Sequence, residues 1–563
     1  MASAETADLL NNQHEIVRQL ADFPENIWAD RIASFTLDKQ GYAFYAKEIE
    51  ILKEEVMSML LETEKPMMEK FDLIDKIERL GISHHFEDKI EHQLQELFDT
   101  YPNFQEHPEC DLLTAALQFR LFRQHGFNIS CGILDQFIDD NGKFKESLCE
   151  DIRGLLSLYE AAHIRTNGDK ILEEALAFTT THLTLGVPHL GSTLAKQVIH
   201  ALEQPLHKGI PRYEAYCYIS MYEKDESNNK LLLRLAKLDY YLLQMLYKQE
   251  LSEIIRWGKD LDIVTKVPYA RDRIVECYFW AVGTYYEPQY SLARMTFAKA
   301  IVFCGMIDDT YDAYGTLDEL KISRNLNRWL PSPLHVLWDG NGIDQLSDYL
   351  KAAYTMLLNF NKELEEDLAK NRRTFVFDKY LEEWKQYMRT SFTQSKWFLT
   401  NKLPSFADYM SNGMITRSYY LLPSAAFLGV DGASEDVIKW MSTNPRLFVA
   451  LTTHARLTND VGSHKFEKER GSGTAIECYM KDYNVSEEEA TKKFEEMYED
   501  TWKIMNEECL RLTTIPREIL KVILNLARVC EVVYKHRGDG FTDQRRIEAH
   551  IKAMITDSIS VCG

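Results

Sequence analysis

Residues 230–261 read KLLLRLAKLDYYLLQMLYKQELSEIIRWGKDL, with apolar side chains recurring at i, i+3, i+4 and i+7 along the whole run. That spacing predicts a long amphipathic helix. ILEEALAFTTTHL (171–183) follows the same period, and alternating strand-like segments are scarce; Asn341-Gly342 lacks the flanks of a hairpin. With 25 Gly and 15 Pro in 563 residues there is little linker material, and no fixed-period repeat is present. The reading is all-α, in two helical domains. The polar YEKDESNNK (222–230) marks the boundary, giving residues 1–229 and 230–563; RWLPSPLHVLWDGNG (328–342) is a second loose region.

A net charge of −22 argues against nucleic acid, because phosphate backbones need clustered Lys and Arg and the 65 basic residues here are scattered. The ten cysteines are dispersed without a C-x-x-C pair, which suits free thiols in a reducing compartment. No apolar run reaches the roughly 20 residues of a membrane span. The opening MASAETADLLNNQHEIVRQ has neither a secretory nor a transit-peptide character. The expectation is a soluble, cytoplasmic protein without stable membrane insertion.

FAKAIVFCGMI (297–307) is apolar on nearly every side and runs directly into Asp308, Asp309 and Asp312. On a helix, Asp308 and Asp312 share a face and Asp309 lies about 100° round. Buried carboxylates cost several kcal/mol each, on the order of 2–7, unless paired, and like charges this close repel. A divalent ion resolves both problems, and all-oxygen ligands favour Mg²⁺ or Mn²⁺. The alternative is an acidic helix end in solvent. An EF-hand is excluded, because its sixth position requires Gly and Ala313 stands there. A second oxygen-bearing stripe shifts the balance: in RLTNDVGSHKFEKERG (456–471), Asn459, Ser463 and Glu467 fall at i, i+4 and i+8.

The pair D308-D-T-Y-D312 and N459-D-V-G-S463-H-K-F-E467 resembles the metal-binding motifs of plant class I terpene synthases. The resemblance covers nearly the whole chain: RQLADFPENIW (18–28) resembles the family's R-R-x8-W element with Gln19 in place of the second basic residue, YARDRIVECYFW (269–280) its R-x-R segment, and YKHRGDGFT (534–542) its C-terminal lid. The resemblance implies a non-catalytic N-terminal α/α-barrel, whose leading strand caps the active site, and a C-terminal class I terpenoid synthase helical fold. The D-x-D-D run of the protonation-initiated class is absent, DQFIDD (135–140) having the wrong spacing.

By the same resemblance the substrate is an allylic diphosphate and the cofactor is Mg²⁺, three ions, with Mn²⁺ as a substitute. The ligands implied are Asp308 and Asp312 on one wall and Asn459, Ser463 and Glu467 on the other; Asp309 orients its neighbours or pairs with an arginine, and Asp460 points away. Arg271, Arg273 and Arg456 are assigned to the diphosphate, since guanidinium stays charged and grips oxyanions in pairs. Trp280, Tyr534 and Phe541 are expected to wall the carbocation, with Asp539 as partner to Tyr534. Relatives often carry Tyr where Phe541 stands, so a hydroxyl role there is ruled out. Thr416 and Ser418 lie where the family breaks a helix to turn carbonyls toward the cation, and Pro423 deprives Tyr419's carbonyl of its helical partner. Arg18 and Trp28 are expected to tie the N-terminal strand across the mouth.

Plastidial members of the family carry a long targeting extension before this element, whereas here an acidic stretch of 17 residues precedes Arg18; by the resemblance this implies a cytosolic enzyme using the C15 substrate farnesyl diphosphate, and a monomer is expected. The rivals are an enzyme of geranyl or geranylgeranyl diphosphate, and a non-catalytic isoprenoid-binding helical protein. Gln19 and ISRNLNRWLPSPLHV (322–336), where relatives have a more acidic helix, are the features that leave room for the latter.

Overall fold

The computed structural model describes residues 23–28, 32–62, 64–100, 110–327 and 343–561. Arg18 and Gln19, and the segment 328–342, lie outside them. Among the described residues the structure is helical throughout, with one isolated bridge between Ile138 and Phe144.

The helices that matter here are α1 (Lys39–Leu60), α2 (Leu112–Gln124), α3 (Ile152–Ala162), α4 (Lys170–Gly186), α5 (Lys230–Asp260), α6 (Ile274–Thr284), α7 (Ser291–Asp312), α8 (Thr374–Leu399), α9 (Phe406–Thr416), α10 (Leu421–Phe427), α11 (Arg446–Glu469), α12 (Glu487–Arg511) and α13 (Arg517–Val533). In the N-terminal half α2 packs on α3 and α3 on α4, so successive helices bury each other's apolar stripes. In the C-terminal half α7 packs against α6, α8 and α10, and α11 lies against α9, α12 and α13.

Helix α5 belongs to both halves. Asn229 caps it by accepting from the amides of Leu231 and Leu232. Its first turns, Leu232 to Leu242, sit in the N-terminal core, while Leu243, Tyr247, Leu251 and Ile254 sit in the C-terminal one. The division at 230 therefore falls at the start of a helix whose first half is N-terminal core.

Helix α7, with the short turn before it, runs from Pro288 to Asp312 and is long and apolar enough, by composition alone, to cross a membrane. That corrects the reading that no run approaches such a length. Phe297, Ile301, Phe303 and Ile307 are buried among the helices of the C-terminal core.

Candidate active site

The C-terminal end of α7 delivers its aspartates to the wall of a cavity in the C-terminal half. Asp308, Asp312, Asn459, Ser463 and Glu467 all line this cavity, which holds about 1020 Å³ including its open mouth. The helical period separates the three acids of α7. The Asp308 side chain is 31% exposed and Asp309 0%, so Asp309 looks backward, where it accepts from the backbone amide of Arg271 at 2.7 Å and its Nε at 3.2 Å. Asp309 thereby fixes the arginine, whose Nη2 also reaches Asp308 Oδ2 at 3.2 Å.

The opposite wall is α11. Gly462 sits inside its motif because a Cβ there would lie 2.7 Å from the Gly538 carbonyl, so the helix meets the loop 534–542 backbone to backbone. Arg456 pairs along the helix with Asp460 and donates to Asn459 Oδ1 at 3.0 Å. Asp460 is fully buried outside the cavity lining and accepts from the Ala475 amide at 3.3 Å.

These carboxylates are held at a cost. Burial and the neighbouring Asp308 push Asp312 well above the ordinary carboxylate range, and Asp312 Oδ1 is buried without a hydrogen-bond partner. Burial also raises Glu467, against the pull of Arg470 and Arg271. Two walls of oxygen donors, one with an orphaned carboxylate oxygen, fit a hard divalent cation. Asp308 and Asp312 on one side, and Asn459, Ser463 and Glu467 on the other, are the residues that would hold it.

Below the rim the wall is aromatic. Trp280 and Tyr419 meet edge to face at 6.2 Å, and Tyr387, Tyr409, Tyr534 and Phe541 complete the lining. Between α9 and α10 the chain breaks, with Ser418 at φ +67°, and Thr416 and Ser418 both face the cavity. The break precedes Pro423, which lies in the first turn of α10. Ser418 is in the left-handed conformation, so the interruption is set by the backbone there rather than by the proline alone.

The N-terminal segment packs against the rim. Phe23 covers Arg271 at 4.6 Å and stacks on Phe466 at 6.0 Å, Asn26 donates to Asp272 at 2.8 Å, and Trp28 Nε1 donates to Glu276 at 2.6 Å.

The sequence matches the family description "Terpene synthase, N-terminal domain" over residues 27–202 and "Terpene synthase family, metal binding domain" over 259–504. It is 44% identical to Valerianol synthase TPS8 of Camellia sinensis and to a hedycaryol synthase of Camellia brevistyla, each over 99% of this chain and 100% of the relative.

The chain belongs to the terpene synthase family.

Its fold matches that of limonene synthase solved with 2-fluorolinalyl diphosphate (TM-score 0.88, 30% identity, 97% of this chain and 100% of that one). It also matches isoprene synthase of grey poplar (Populus x canescens) in complex with three Mg²⁺ ions and dimethylallyl-S-thiolodiphosphate (TM-score 0.84, 34% identity, 92% of this chain and 98% of that one). The two all-α domains, the metal-binding character of the C-terminal one and the synthase activity are those of the family.

Within this terpene synthase two residues stand elsewhere than expected. Arg273 is turned away from the cavity: it donates to the carbonyls of Phe541 at 3.0 Å, Asp272 at 2.9 Å, Pro24 at 2.8 Å and Thr542 at 3.1 Å. It staples the N-terminal segment to the loop 534–542 through backbone oxygens. Asp539, for its part, is not bonded to Tyr534. It accepts from the amides of Phe541 at 2.8 Å and Thr542 at 3.1 Å and so shapes the loop, while the Tyr534 hydroxyl accepts from Arg417 at 2.5 Å.

Arg417 and Arg470 are the charged cavity residues that sequence reasoning missed, and Tyr387 and Tyr409 the aromatic ones. Arg470 lies 3.7 Å from Glu467 and donates to the Asp312 carbonyl at 3.4 Å, joining the two acidic walls. Its signal was its place three residues after Glu467, one helical turn on.

Proposed function

We propose that this enzyme is a sesquiterpene synthase: it ionises farnesyl diphosphate with the help of Mg²⁺, three ions by the precedent of grey poplar isoprene synthase, releases diphosphate and cyclises the resulting cation. The observation that carries the reading is the shared cavity of two oxygen-bearing walls, Asp308/Asp312 and Asn459/Ser463/Glu467, above an aromatic floor. The C15 substrate is supported by full-length similarity to relatives named valerianol and hedycaryol synthases.

When bound, the metal supplies Lewis-acid charge that stabilises the departing diphosphate. The protein's own residues do the rest. Asp308 and Asp312 would hold it from α7 and Asn459, Ser463 and Glu467 from α11. Arg271, fixed from behind by Asp309, and Arg456 present guanidinium charge to the diphosphate oxygens. The segment 23–28 and the loop 534–542, stapled by Arg273, exclude water that would quench the cation early. Trp280, Tyr419 and Phe541 offer π faces that attract a cation without acting as nucleophiles. Phe541 has no hydroxyl, so any proton handled by a tyrosine at this depth must pass through Tyr534, Tyr387, Tyr409 or Tyr419.

The test is an incubation of the purified enzyme with Mg²⁺ and farnesyl, geranyl or geranylgeranyl diphosphate, following diphosphate release and analysing products by gas chromatography. The expected result is the highest kcat/KM with farnesyl diphosphate and a cyclic C15 product. A clear preference for another chain length overturns the substrate assignment, and no release from any of them by folded protein favours a binding role.

A further inference from the structure

The arginines around the cavity differ in what neutralises them. Arg271 has Asp308 and Asp309 at 3.2 and 2.6 Å, Arg456 has Asp460, and Arg470 has Glu467. Arg273 is spent on carbonyls outside the cavity. Arg417 alone among these lines the cavity without forming an ion pair with any described carboxylate. Its hydrogen-bond partner is neutral, the Tyr534 hydroxyl, which takes one Nη2 proton and turns the guanidinium edge, with the ring centroid 5.5 Å away.

A guanidinium has five donors in a fixed fork. One is used here; no described carboxylate forms an ion pair with it, and Asp308 and Asp539 act on its charge only from beyond ion-pair distance. The backbone amide of Arg417 closes the last turn of α9 on Gly413 at 3.1 Å, and the next residue already breaks the helix at Ser418. The side chain leaves that break into the space bounded by Asp308, Arg456 and Tyr534.

We propose that Arg417 is a diphosphate-binding residue, with Tyr534 as the anchor that points its free donors at the leaving group. The proposal rests on the diphosphate reading above and adds a residue to it. Arg271, Arg456 and Arg470 are held in direct ion pairs, whereas Arg417 keeps its free donors for the departing anion. Because it grows from the helix break, capture of the diphosphate also pins the backbone at Thr416 and Ser418 against the same cavity.

The test measures binding of inorganic pyrophosphate in the presence of Mg²⁺, by calorimetry, to the wild type, Arg417→Lys and Arg417→Gln. Arg417→Met serves as a second neutral variant if the glutamine does not fold, and melting temperatures establish that each protein is folded. Lys keeps the charge; Gln keeps a donor for the Tyr534 hydroxyl but loses the charge. The expected result is about 10- to 100-fold weaker binding for Gln, the scale of a lost charge-assisted hydrogen bond, and partial recovery in Lys. The kcat/KM for farnesyl diphosphate should follow the same order. If Gln binds as the wild type does, or if Gln and Lys weaken binding equally, Arg417 only supports Tyr534 and the proposal falls. If the wild type itself shows no Mg²⁺-dependent binding of pyrophosphate, the diphosphate reading falls with it.

Discussion

Both halves of the molecule bury carboxylates, but they provide for them differently. In the N-terminal half Asp75 pairs with Arg79 at 2.9 Å and with Arg120, Glu78 with His125 at 2.6 Å, Asp169 with Arg123 at 2.5 Å, and Asp239 on α5 with Arg212 at 3.2 Å and His85 at 2.9 Å. Burial would raise each of these acids, yet their cationic neighbours hold all of them below the ordinary carboxylate range. In the C-terminal cavity Asp312 and Glu467 are displaced upward instead. The C-terminal half can pair its acids where structure is the purpose, as Glu250 and Arg294 at 2.7 Å deep in its core demonstrate. Burial also raises Glu160 in the N-terminal half and Glu276 in the C-terminal one, so an upward shift alone marks no site; what singles out Asp312 and Glu467 is that they line one cavity from two facing walls of oxygen donors.

The contrast is broken most severely at the metal wall. Asp308→Ala is expected to lower turnover by about three orders of magnitude or more, the scale of losing a preorganised charge at the reacting group, while the melting temperature stays the same or rises. Near-normal kinetics in excess Mg²⁺ would show that Asp308 is not a ligand. The opposite signature belongs to the N-terminal half: Asp75→Asn, which leaves Arg120 buried without its partner, should cost about 3 kcal/mol in denaturant unfolding and leave kcat unchanged in the folded fraction.

Acidity sharpens the comparison further. The depressed acids Asp75, Glu78 and Asp239 stabilise the fold above the ordinary carboxylate range, and that contribution disappears as pH falls through their folded values. Glu276, beneath Trp28, behaves in the reverse sense, because burial raises its carboxyl to about 7 against the hydrogen bond from Trp28. Its contribution is complete below its unfolded value near 4.5 and is lost as pH climbs through about 7. Thermal melts between pH 5 and 8 should show the wild type losing stability toward the alkaline end and Glu276→Gln losing less. An equal slope in both proteins would place the titrating group elsewhere. The smallest effect is expected from Phe541→Tyr, which returns a hydroxyl to the floor: stability should change by less than about 1 kcal/mol and kcat by only a few-fold, with the product ratio as the readout.

How much of this was legible in the sequence depends on the type of information each residue carries. The period of 230–261 gave a helix because every turn repeats the same burial, and the i, i+4 spacing of Asp308 and Asp312 gave their common face because helical geometry is local. Asp309 was readable as the odd one out for the same reason. The arginines were not readable in this way. A guanidinium on a flexible stem goes where its partners are, and those of Arg273 are carbonyls from residues 24, 541 and 542, distant in sequence. Arg417 lies between Thr416 and Ser418, but whether a guanidinium finds an ion-pair partner is a property of the folded neighbourhood and not of local spacing. Asp539 was placed beside Tyr534 by proximity, whereas a turn with free amides at 541 and 542 had the first claim on it.

The sharing of α5 bears on how such proteins can be recombined. A chimera joined at residue 229 would take the first turns of that helix, with Ala236, Leu238 and Tyr240, from one parent and the N-terminal core they pack into from another. A join between Leu242 and Leu243 would keep each set of side chains with the partners it was selected against. Exchange of halves between related enzymes should succeed at that seam and falter at the loop, even though the loop is where the chain looks easiest to cut.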